Sequence, residues 1–372
     1  MRVMVTGAKG FIGKNLLMHL REKGDFEVVA FTREHSEHDL PKLLEGIDWV
    51  VHLAGINRPE DPAEFQTGNA DFTQALSDAV EQVGRNIPII YSSSIQVDRD
   101  NDYGNSKRGA EDSLLALNEK TGNPVYIYRL PHVFGKWARP NYNSAVATFC
   151  HNIARDLPVQ INDPDAVINL VYVDDVIASF LSLMESGDQK GPFVEVGPTY
   201  HITVSELAEQ LNRFKATRDN LVTEPVGKGL VRALYSTYVS YLPPESFTYR
   251  VPQHSDDRGV FVEMLKTADA GQFSFFTALP GVTRGRHYHH SKTEKFLVIK
   301  GEACFRFRHM LTGEFYELFT SGESPEIVET VPGWTHDVTN VGDTELVCML
   351  WANEIFDREN PDTFAFPVGT KD

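Results

Sequence analysis

The sequence predicts two domains of different class, an α/β domain with a doubly wound parallel sheet and then an all-β barrel. The chain has 372 residues, more than twice the roughly 150 of a typical domain. Up to about residue 210, short apolar runs alternate with helical patterns, which is typical of parallel strands joined by crossover helices. After about residue 245, short aromatic or β-branched runs follow one another without helices, which indicates a sandwich or small barrel. We place the domains at 1–245 and 246–372, with a linker near 242–245.

Each domain divides into recognisable elements. In the first, the apolar runs predict strands at 3–5, 26–31, 49–53, 87–91 and 125–128, and helices at 12–21, 72–83 and 109–120. In the second, they predict strands at 261–265, 273–278, 295–299, 303–307, 316–319, 335–340 and 346–351.

Composition excludes several classes of protein. The chain carries 35 basic and 52 acidic side chains, a net charge of −17. Such a surface repels nucleic acid and anionic lipid, so we expect no nucleic-acid partner, and an anionic ligand must be held by local donors. No apolar run reaches the roughly 18 residues of a membrane span. Three scattered cysteines are typical of a reducing compartment, so we expect a cytoplasmic protein without membrane insertion.

The glycine run after the first strand predicts a dinucleotide site. Residues 6–13 read TGAKGFIG and open a helix. Glycines at Gly7, Gly10 and Gly13 let the backbone approach a pyrophosphate, which then lies on the positive helix N-terminus at Phe11 and Ile12. The alternative is a tight turn that only packs the helix on the strand.

The residue after the second strand bears on the cofactor. NAD enzymes place a ribose-binding carboxylate about 20 residues after the glycines, where this chain has Arg33. A cation there suits the 2′-phosphate of NADP, so we expect NADPH. The adjacent Glu34 weakens this argument, and a plain surface charge is the alternative.

A tyrosine and a lysine supply candidate acid–base chemistry. Tyr103 and Lys107 are four residues apart, which places them on one helix face. An ammonium about 4 Å from a phenolate contributes on the order of 4 kcal/mol at an effective dielectric of about 20, enough to lower a phenol pKa substantially before desolvation opposes it. Tyr103 can then exchange a proton with a substrate.

These motifs resemble the short-chain dehydrogenase/reductase superfamily in its extended branch, which modifies nucleotide sugars on a Rossmann-type fold. Further matches, in the family's order, are 52–55 (HLAG), Asn69, Ser94, 129–131 (RLP) with 134–135 (FG), and 172–175 (YVDD). The resemblance implies that Tyr103 donates a proton to a sugar carbonyl and Ser94 polarises it. It implies that Lys107 holds the nicotinamide ribose and that Leu53 and Ala54 also lie at the cofactor.

Two features refine that resemblance. The segment between the serines and Tyr103 is short, which leaves Ser93 as an alternative to Ser94. The family's 4,6-dehydratases carry an Asp-Glu pair where this chain has Ile95 and Gln96. Neither side chain shuttles protons, so dehydration is disfavoured and reduction or epimerisation remains.

Histidines in the second domain predict a metal site. Residues 287–290 read HYHH, and on a strand His287 and His289 point to the same face. Glu294 follows after a turn, and His336 lies on a later predicted strand. Three imidazoles and a carboxylate suit zinc, nickel or iron.

The spacing from Gly281 to Gly301, and the segment PGWTH at 332–336, resemble the two cupin motifs. This implies a cupin barrel that holds a divalent metal, with zinc expected first. A metal-free cupin whose histidines contact substrate is the alternative, because 256–263 and 283–288 also resemble the deoxyketosugar 3,5-epimerases. In those enzymes the histidine matching His287 is the base. If His287 binds metal here, the base stays open among Asp257, Lys295, Tyr288 and His290.

A reductase of this branch fused to such a cupin resembles the fused enzymes of bacterial capsular-polysaccharide synthesis. The resemblance implies that the cupin epimerises C3 of a UDP-4-keto-2-acetamido-2,6-dideoxy-hexose. The first domain would then reduce C4 with NADPH, towards UDP-N-acetyl-L-fucosamine. Substrate contacts would come from Asn69, Arg139, Asn141 and Asn143, although the last three also fit a plain polar loop.

Cupins commonly pair through their strands, so we expect a homodimer. The alternatives for function are a reductase or 4-epimerase with a non-catalytic, ligand-binding or dimerising cupin, and an NADP-sensing binding protein without catalysis.

Overall fold

The computed structural model describes residues 1–187, 191–251, 253–256, 259–262, 265, 271–354 and 359–369. They form two compact units. The first contains residues 1–144 and 168–202, and the second contains residues 145–167 and those from 203 onward.

The helices and strands are as follows. The helices are α1 (Phe11–Lys23), α2 (Leu40–Leu43), α3 (Ala63–Phe65), α4 (Phe72–Val83), α5 (Asp102–Thr121), α6 (Ala145–Ile153), α7 (Val173–Ser186), α8 (Val204–Asn220) and α9 (Gly229–Val239). The strands of the first unit are β1 (Arg2–Thr6), β2 (Glu27–Phe31), β3 (Trp49–His52), β4 (Ile89–Ser94), β5 (Val125–Leu130), β6 (His132–Phe134), β7 (Val167–Tyr172) and β8 (Thr199–Thr203). Those of the second are β9 (Thr248–Arg250), β10 (Gln253–Asp256), β11 (Gly259–Val262), β12 (Gln272–Ala278), β13 (Thr283–Tyr288), β14 (Glu294–Lys300), β15 (Glu302–His309), β16 (Phe315–Ser321), β17 (Glu326–Glu329), β18 (Trp334–Asn340), β19 (Leu346–Ala352) and β20 (Phe364–Ala365).

The first unit is built on a parallel sheet with the strand order β2-β1-β3-β4-β5. The chain leaves β1 towards one edge to form β2 and returns on the other side to form β3. This reversal is a topological switch point, where α/β proteins bind ligands beyond the carboxyl ends of the strands. The predicted doubly wound parallel sheet is confirmed.

Helix α5 is longer than the predicted helix at 109–120. It begins at Asp102, because the Asn101 side chain accepts a hydrogen bond of 2.8 Å from the Gly104 N–H and so caps the first turn. Tyr103 and Lys107 therefore lie on the same helix, as their spacing predicts. Ahead of α4, residues Gln66–Asp71 form a π-helical turn, a feature that often marks functional sites.

The second unit contains two five-stranded antiparallel sheets, with the orders β12-β19-β14-β17-β9 and β16-β15-β18-β13-β20. Their inward-facing side chains form the barrel core, among them Phe305, Phe307 and Trp351, which are almost fully buried. The predicted cupin-like β domain is confirmed.

The boundary predicted between 245 and 246 does not coincide with the division into compact units. Helices α6, α8 and α9 belong with the barrel strands. Two residues after the segment predicted as a linker, Phe247 is fully buried against Phe307 and Trp334, with ring centroids 5.4 and 5.0 Å away. Strand β9 then pairs with β17.

Within the described part of the chain, every helix is too short or too polar to cross a membrane.

Candidate active sites

The glycine run lies at the switch point of the parallel sheet, between β1 and α1. Gly7 has a φ of +66°, which favours glycine, and a Cβ there would lie 2.6 Å from the Ala54 backbone nitrogen. A Cβ on Gly13 would lie 2.3 Å from the Gly7 carbonyl oxygen. These positions exclude side chains, so α1 starts close against β1 and presents its N-terminal N–H groups beside Phe11 and Ile12. The loop has the shape that a dinucleotide pyrophosphate requires.

The charges beyond β2 have a defined arrangement. Arg33 is exposed. The carboxylate of Glu34 accepts a hydrogen bond of 2.6 Å from the Lys9 ammonium, and this pairing lowers the pKa of Glu34. Glu34, the acidic neighbour of Arg33 that weakened the argument for NADP, is thus paired with Lys9 of the glycine run.

The serine, tyrosine and lysine converge beyond the carboxyl end of β4. Ser94 ends that strand and caps the following turn by accepting a hydrogen bond of 3.2 Å from the Gln96 N–H. Burial raises the pKa of Tyr103, and a side-chain hydrogen bond with Ser94 opposes the shift. Tyr103 is therefore protonated at neutral pH and can donate.

Lys107 is buried, and its ammonium donates a hydrogen bond of 2.8 Å to the Ser92 carbonyl oxygen. It also lies 4.4 Å from the centroid of the Tyr91 ring. Burial lowers the pKa of Lys107 to about 7, and the carboxylate of Glu111 works against that shift. A bound anion would restore the charge of this ammonium.

The geometry separates the two candidate serines. Ser93 donates a hydrogen bond of 2.5 Å to the buried carboxylate of Glu111, which also forms an ion pair of 2.7 Å with Arg129. Its hydroxyl is therefore engaged with Glu111, whereas Ser94 is close enough to Tyr103 to lower the pKa of that phenol. This arrangement favours Ser94 as the residue that contacts a carbonyl.

The predicted substrate residues fall into two groups. Asn69 is buried and holds the loop after β3: its amide oxygen accepts from the Ile56 N–H at 2.8 Å, and its amide nitrogen donates to the Ile56 carbonyl and to Ser106, both at 2.9 Å. A direct contact between Asn69 and a sugar stays a prediction. Arg139, Asn141 and Asn143 lie on an exposed loop, as the polar-loop alternative also requires.

Four side chains inside the barrel form a compact cluster of possible metal ligands. Ligand atoms of His287, His289, Glu294 and His336 all lie within 4.8 Å of one another. His287 and His336 face each other across the β13–β18 pair, and Glu294 comes from the other sheet. The sequence predicted that His287 and His289 point to the same face; both imidazoles lie in the cluster, with His289 just beyond the end of β13 at Tyr288, where the chain bends. The imidazoles converge through this bend.

The electrostatics of the cluster fit a divalent cation. Burial lowers the pKa of His287 to about 3, so its imidazole is neutral. Burial alone raises the pKa of Glu294, but His289 and Lys292 together hold that pKa well below its usual value. Among the described residues, neither ring nitrogen of the buried His336 makes a well-formed hydrogen bond. Three imidazoles, one carboxylate and a buried ring without a well-formed hydrogen bond suit a zinc-class ion.

A residue that the sequence analysis missed organises the loop that carries His289. The Asp362 carboxylate accepts hydrogen bonds from the backbone N–H groups of His290, Ser291 and Lys292, at 2.6–2.8 Å. The Asp362 carbonyl lies 2.5 Å from Nδ1 of His289 and so orients that ring. These partners are 70 to 73 residues apart, so no local pattern could have indicated the contact.

The structure removes one of the candidate bases. Strand alternation turns Lys295 away from Glu294, and it is fully buried in an ion pair with Glu329. That partner raises the pKa of Lys295 despite burial, so Lys295 is the wrong candidate. Tyr288 and His290 are buried, and Asp257 lies outside the described residues.

Comparisons with known proteins cover both parts of the chain. Residues 3–197 match the model of the NAD dependent epimerase/dehydratase family, and residues 254–364 match that of the polysaccharide biosynthesis C-terminal domain. The UDP-2-acetamido-2,6-beta-L-arabino-hexul-4-ose reductase of Pseudomonas aeruginosa is 63% identical over 369 residues, 99% of each chain.

Solved structures point the same way. A structure of the capsular polysaccharide assembling protein CapF from Staphylococcus aureus has a TM-score of 0.68 and 40% identity, covering 99% of this chain and 100% of that one. The UDP-glucuronic acid 4-epimerase of Bacillus cereus, with a TM-score of 0.54 and 22% identity over 58% of this chain and 83% of its own, shares the fold. The resemblance to fused capsular-polysaccharide enzymes is confirmed. The chain belongs to the NAD dependent epimerase/dehydratase family, in the form that continues into a polysaccharide biosynthesis C-terminal domain.

Proposed function

We propose that this protein is a bifunctional nucleotide-sugar enzyme. Its first unit reduces the C4 ketone of a UDP-4-keto-6-deoxy amino sugar with NADPH, and its barrel epimerises C3 of the same ketone beforehand. The observation that carries the reductase is the convergence of Ser94, Tyr103 and Lys107 beyond the sheet edge where the glycine run lies. The full-length relative at 63% identity is named as a UDP-sugar 4-ketone reductase, which supports the substrate class.

In the reductase, the chain's own residues position the ketone and supply the proton. NADPH, when bound, supplies the hydride. Tyr103 is protonated at neutral pH, because burial raises the pKa of its phenol, and it donates that proton to the C4 oxygen. Ser94 donates a hydrogen bond to the same oxygen, and the Lys107 ammonium stabilises the tyrosinate that is left. Arg33 holds the 2′-phosphate of the cofactor.

In the barrel, His287, His289, Glu294 and His336 would hold a zinc ion. A divalent metal supplies Lewis acidity, which favours loss of a proton next to a ketone. The chain provides a largely buried cluster of side chains in which Asp362 fixes the loop of His289. Reprotonation on the opposite face at C3 completes the epimerisation.

The order of the steps follows from chemistry. The C3 proton is acidic only while C4 is a ketone, so epimerisation must come before reduction. A 2-acetamido-2,6-dideoxy sugar that passes through both steps leads towards UDP-N-acetyl-L-fucosamine. We also propose that two copies pair through their barrels.

The alternative function is that of a reductase or 4-epimerase alone, with a barrel that only binds ligand or assembles the dimer.

Turnover by purified protein with NADPH and the UDP-4-keto sugar tests the main proposal, because cofactor consumption and the mass of the product report the reduction directly. A protein that binds NADPH but never consumes it would contradict the proposal.

Replacing Arg33 by alanine tests the cofactor. We expect NADPH affinity to fall about 10- to 100-fold, as for the loss of a charge-assisted hydrogen bond of about 1.5–3 kcal/mol, while NADH affinity stays within about twofold. Titration of each cofactor, followed by fluorescence, measures both. Arg85→Ala, which removes another exposed arginine, is the control, and equal losses for NADPH and NADH in Arg33→Ala would refute the assignment.

A further inference from the structure

A fully buried histidine lies beneath the proposed reductase site and takes no part in the mechanism above. His52 ends β3 and has no exposed surface. Burial lowers its pKa to about 3, so the ring is neutral across the physiological range. A buried polar ring costs stability unless each of its nitrogens is satisfied, and here both are.

The hydrogen bonds around His52 have a single consistent direction. The Thr6 hydroxyl oxygen accepts from the backbone N–H groups of Leu53 and Ala54, both at 3.1 Å, so its own proton points to Nδ1 of His52, 2.7 Å away. Nδ1 is therefore the acceptor, and Nε2 carries the proton. Nε2 donates to the Thr73 hydroxyl at 2.9 Å.

Further hydrogen bonds connect Thr73 to the proposed catalytic tyrosine. The Thr73 hydroxyl donates to the Asn69 carbonyl oxygen at 2.7 Å, inside the π-helical turn. The Asn69 amide donates to the Ser106 hydroxyl at 2.9 Å, and Ser106 donates to the Tyr103 carbonyl at 2.8 Å. A path of hydrogen bonds, continued from the backbone carbonyl to the side-chain amide within Asn69, thus joins the end of β1 to the first turn of α5.

A second contact leads from His52 to the proposed catalytic lysine. The imidazole stacks on the Tyr91 ring, with centroids 5.1 Å apart and an interplanar angle of 27°. The same Tyr91 ring lies 4.4 Å from the Lys107 ammonium. His52 is therefore linked to Lys107 through Tyr91 and to Tyr103 through Thr73, Asn69 and Ser106, while its own ring has no exposed surface.

We propose that His52, through Thr73, is a positioning residue of the reductase: its neutral Nε2–H tautomer holds the Asn69 turn, and through it Tyr103, in the geometry for proton donation. This inference rests on the proposed reductase function. A small displacement of a proton donor lowers turnover steeply. The hydrogen bonds of the Thr73 hydroxyl can be removed by a substitution that changes the shape of the side chain very little.

The test compares Thr73→Val, Thr73→Ser and Ser77→Ala. Valine keeps the shape of threonine and removes the hydroxyl, whereas serine keeps the hydroxyl. Ser77 is the matched control, because it is buried one turn along α4 and its hydroxyl donates to the Thr73 carbonyl at 2.9 Å, outside the path. We expect kcat for ketone reduction to fall about 10-fold or more in Thr73→Val, and to stay within about threefold of wild type in the other two.

Binding measurements separate positioning from general damage. We expect NADPH affinity and substrate KM of Thr73→Val to match those of Ser77→Ala, whereas its melting temperature should be lower, because Nε2 of the buried His52 loses its hydrogen-bond acceptor. Wild-type turnover with an unchanged kcat in Thr73→Val would overturn this inference alone. Absence of turnover by the wild type would overturn the proposed function, and this inference with it.

A spectroscopic measurement tests the path itself without catalysis. In nitrogen-15 NMR of the full chain, the His52 ring should show the Nε2–H tautomer and no titration between about pH 5 and 9, unlike an exposed imidazole with an unperturbed pKa near 6.5. In Thr73→Val the Nε2 resonance should shift. A titrating ring or the Nδ1–H tautomer would refute the assigned direction of the path.

Discussion

Replacing Tyr103 by phenylalanine is expected to lower kcat for ketone reduction by about 10²- to 10⁴-fold, the usual contribution of a positioned general acid. The ring remains and only the phenolic proton is lost, so NADPH binding and the fold should persist. Loss of turnover with intact cofactor affinity is the expected pattern. Stopped-flow single-turnover measurements with NADPH and the UDP-4-keto sugar separate the chemical step from binding.

The control for this substitution is Tyr126→Phe. Tyr126 is a buried tyrosine of β5 that stacks on Trp49. The change therefore removes a buried phenolic hydroxyl from the same unit, outside the proposed site. We expect it to leave turnover within about twofold of wild type. Full activity in Tyr103→Phe would show that another group supplies the proton, and the reductase mechanism would then be wrong.

Removing an imidazole from the barrel cluster should abolish its metal binding and its exchange chemistry. In His336→Ala we expect bound zinc to fall well below one equivalent per chain, because four ligands are the usual number for a zinc site. Exchange of the C3 proton with solvent should fall at least about 100-fold. Metal analysis of the purified protein and deuterium uptake from D₂O measure the two effects.

Two further variants sharpen that result. Glu294→Gln keeps the size of the side chain and removes its charge, so it tests the cluster without leaving a cavity. His309→Gln removes an imidazole from the same barrel, outside the cluster, and should retain the metal. A His336→Ala protein that exchanges the C3 proton as fast as wild type would favour the reading in which the barrel only binds ligand or assembles the dimer.

Local features of the sequence predict much of the fold. The parallel sheet and α4 follow from hydrophobic periodicity, and the observed α4 has the predicted bounds at 72–83. The helix of Tyr103 was predicted too short, because its first turn, NDYGNSK, is polar and is held by the Asn101 cap rather than by an apolar face. Spacing alone still placed Tyr103 and Lys107 together.

Contacts between distant segments could not be predicted in the same way. The cluster of His287, His289, Glu294 and His336 follows from its motif, but the support from Asp362 depends on how the chain returns to the barrel near its C-terminal end. Lys295 was one of four candidate bases that the sequence left open. Only its burial against Glu329, on another strand, shows that it is structural. The division into compact units also depends on distant contacts, because helices α8 and α9 are earlier in sequence than the barrel and yet belong to its compact unit.

One reaction tests both proposed activities together. Purified protein, NADPH and the UDP-4-keto-6-deoxy-N-acetyl sugar are combined in D₂O, and the product is analysed by mass spectrometry and NMR. We expect a sugar that is reduced at C4 and carries carbon-bound deuterium at C3 with inverted configuration. Reduction without deuterium at C3 would contradict the proposed epimerase and leave the barrel a binding or assembly role. Deuterium without reduction would contradict the proposed reductase.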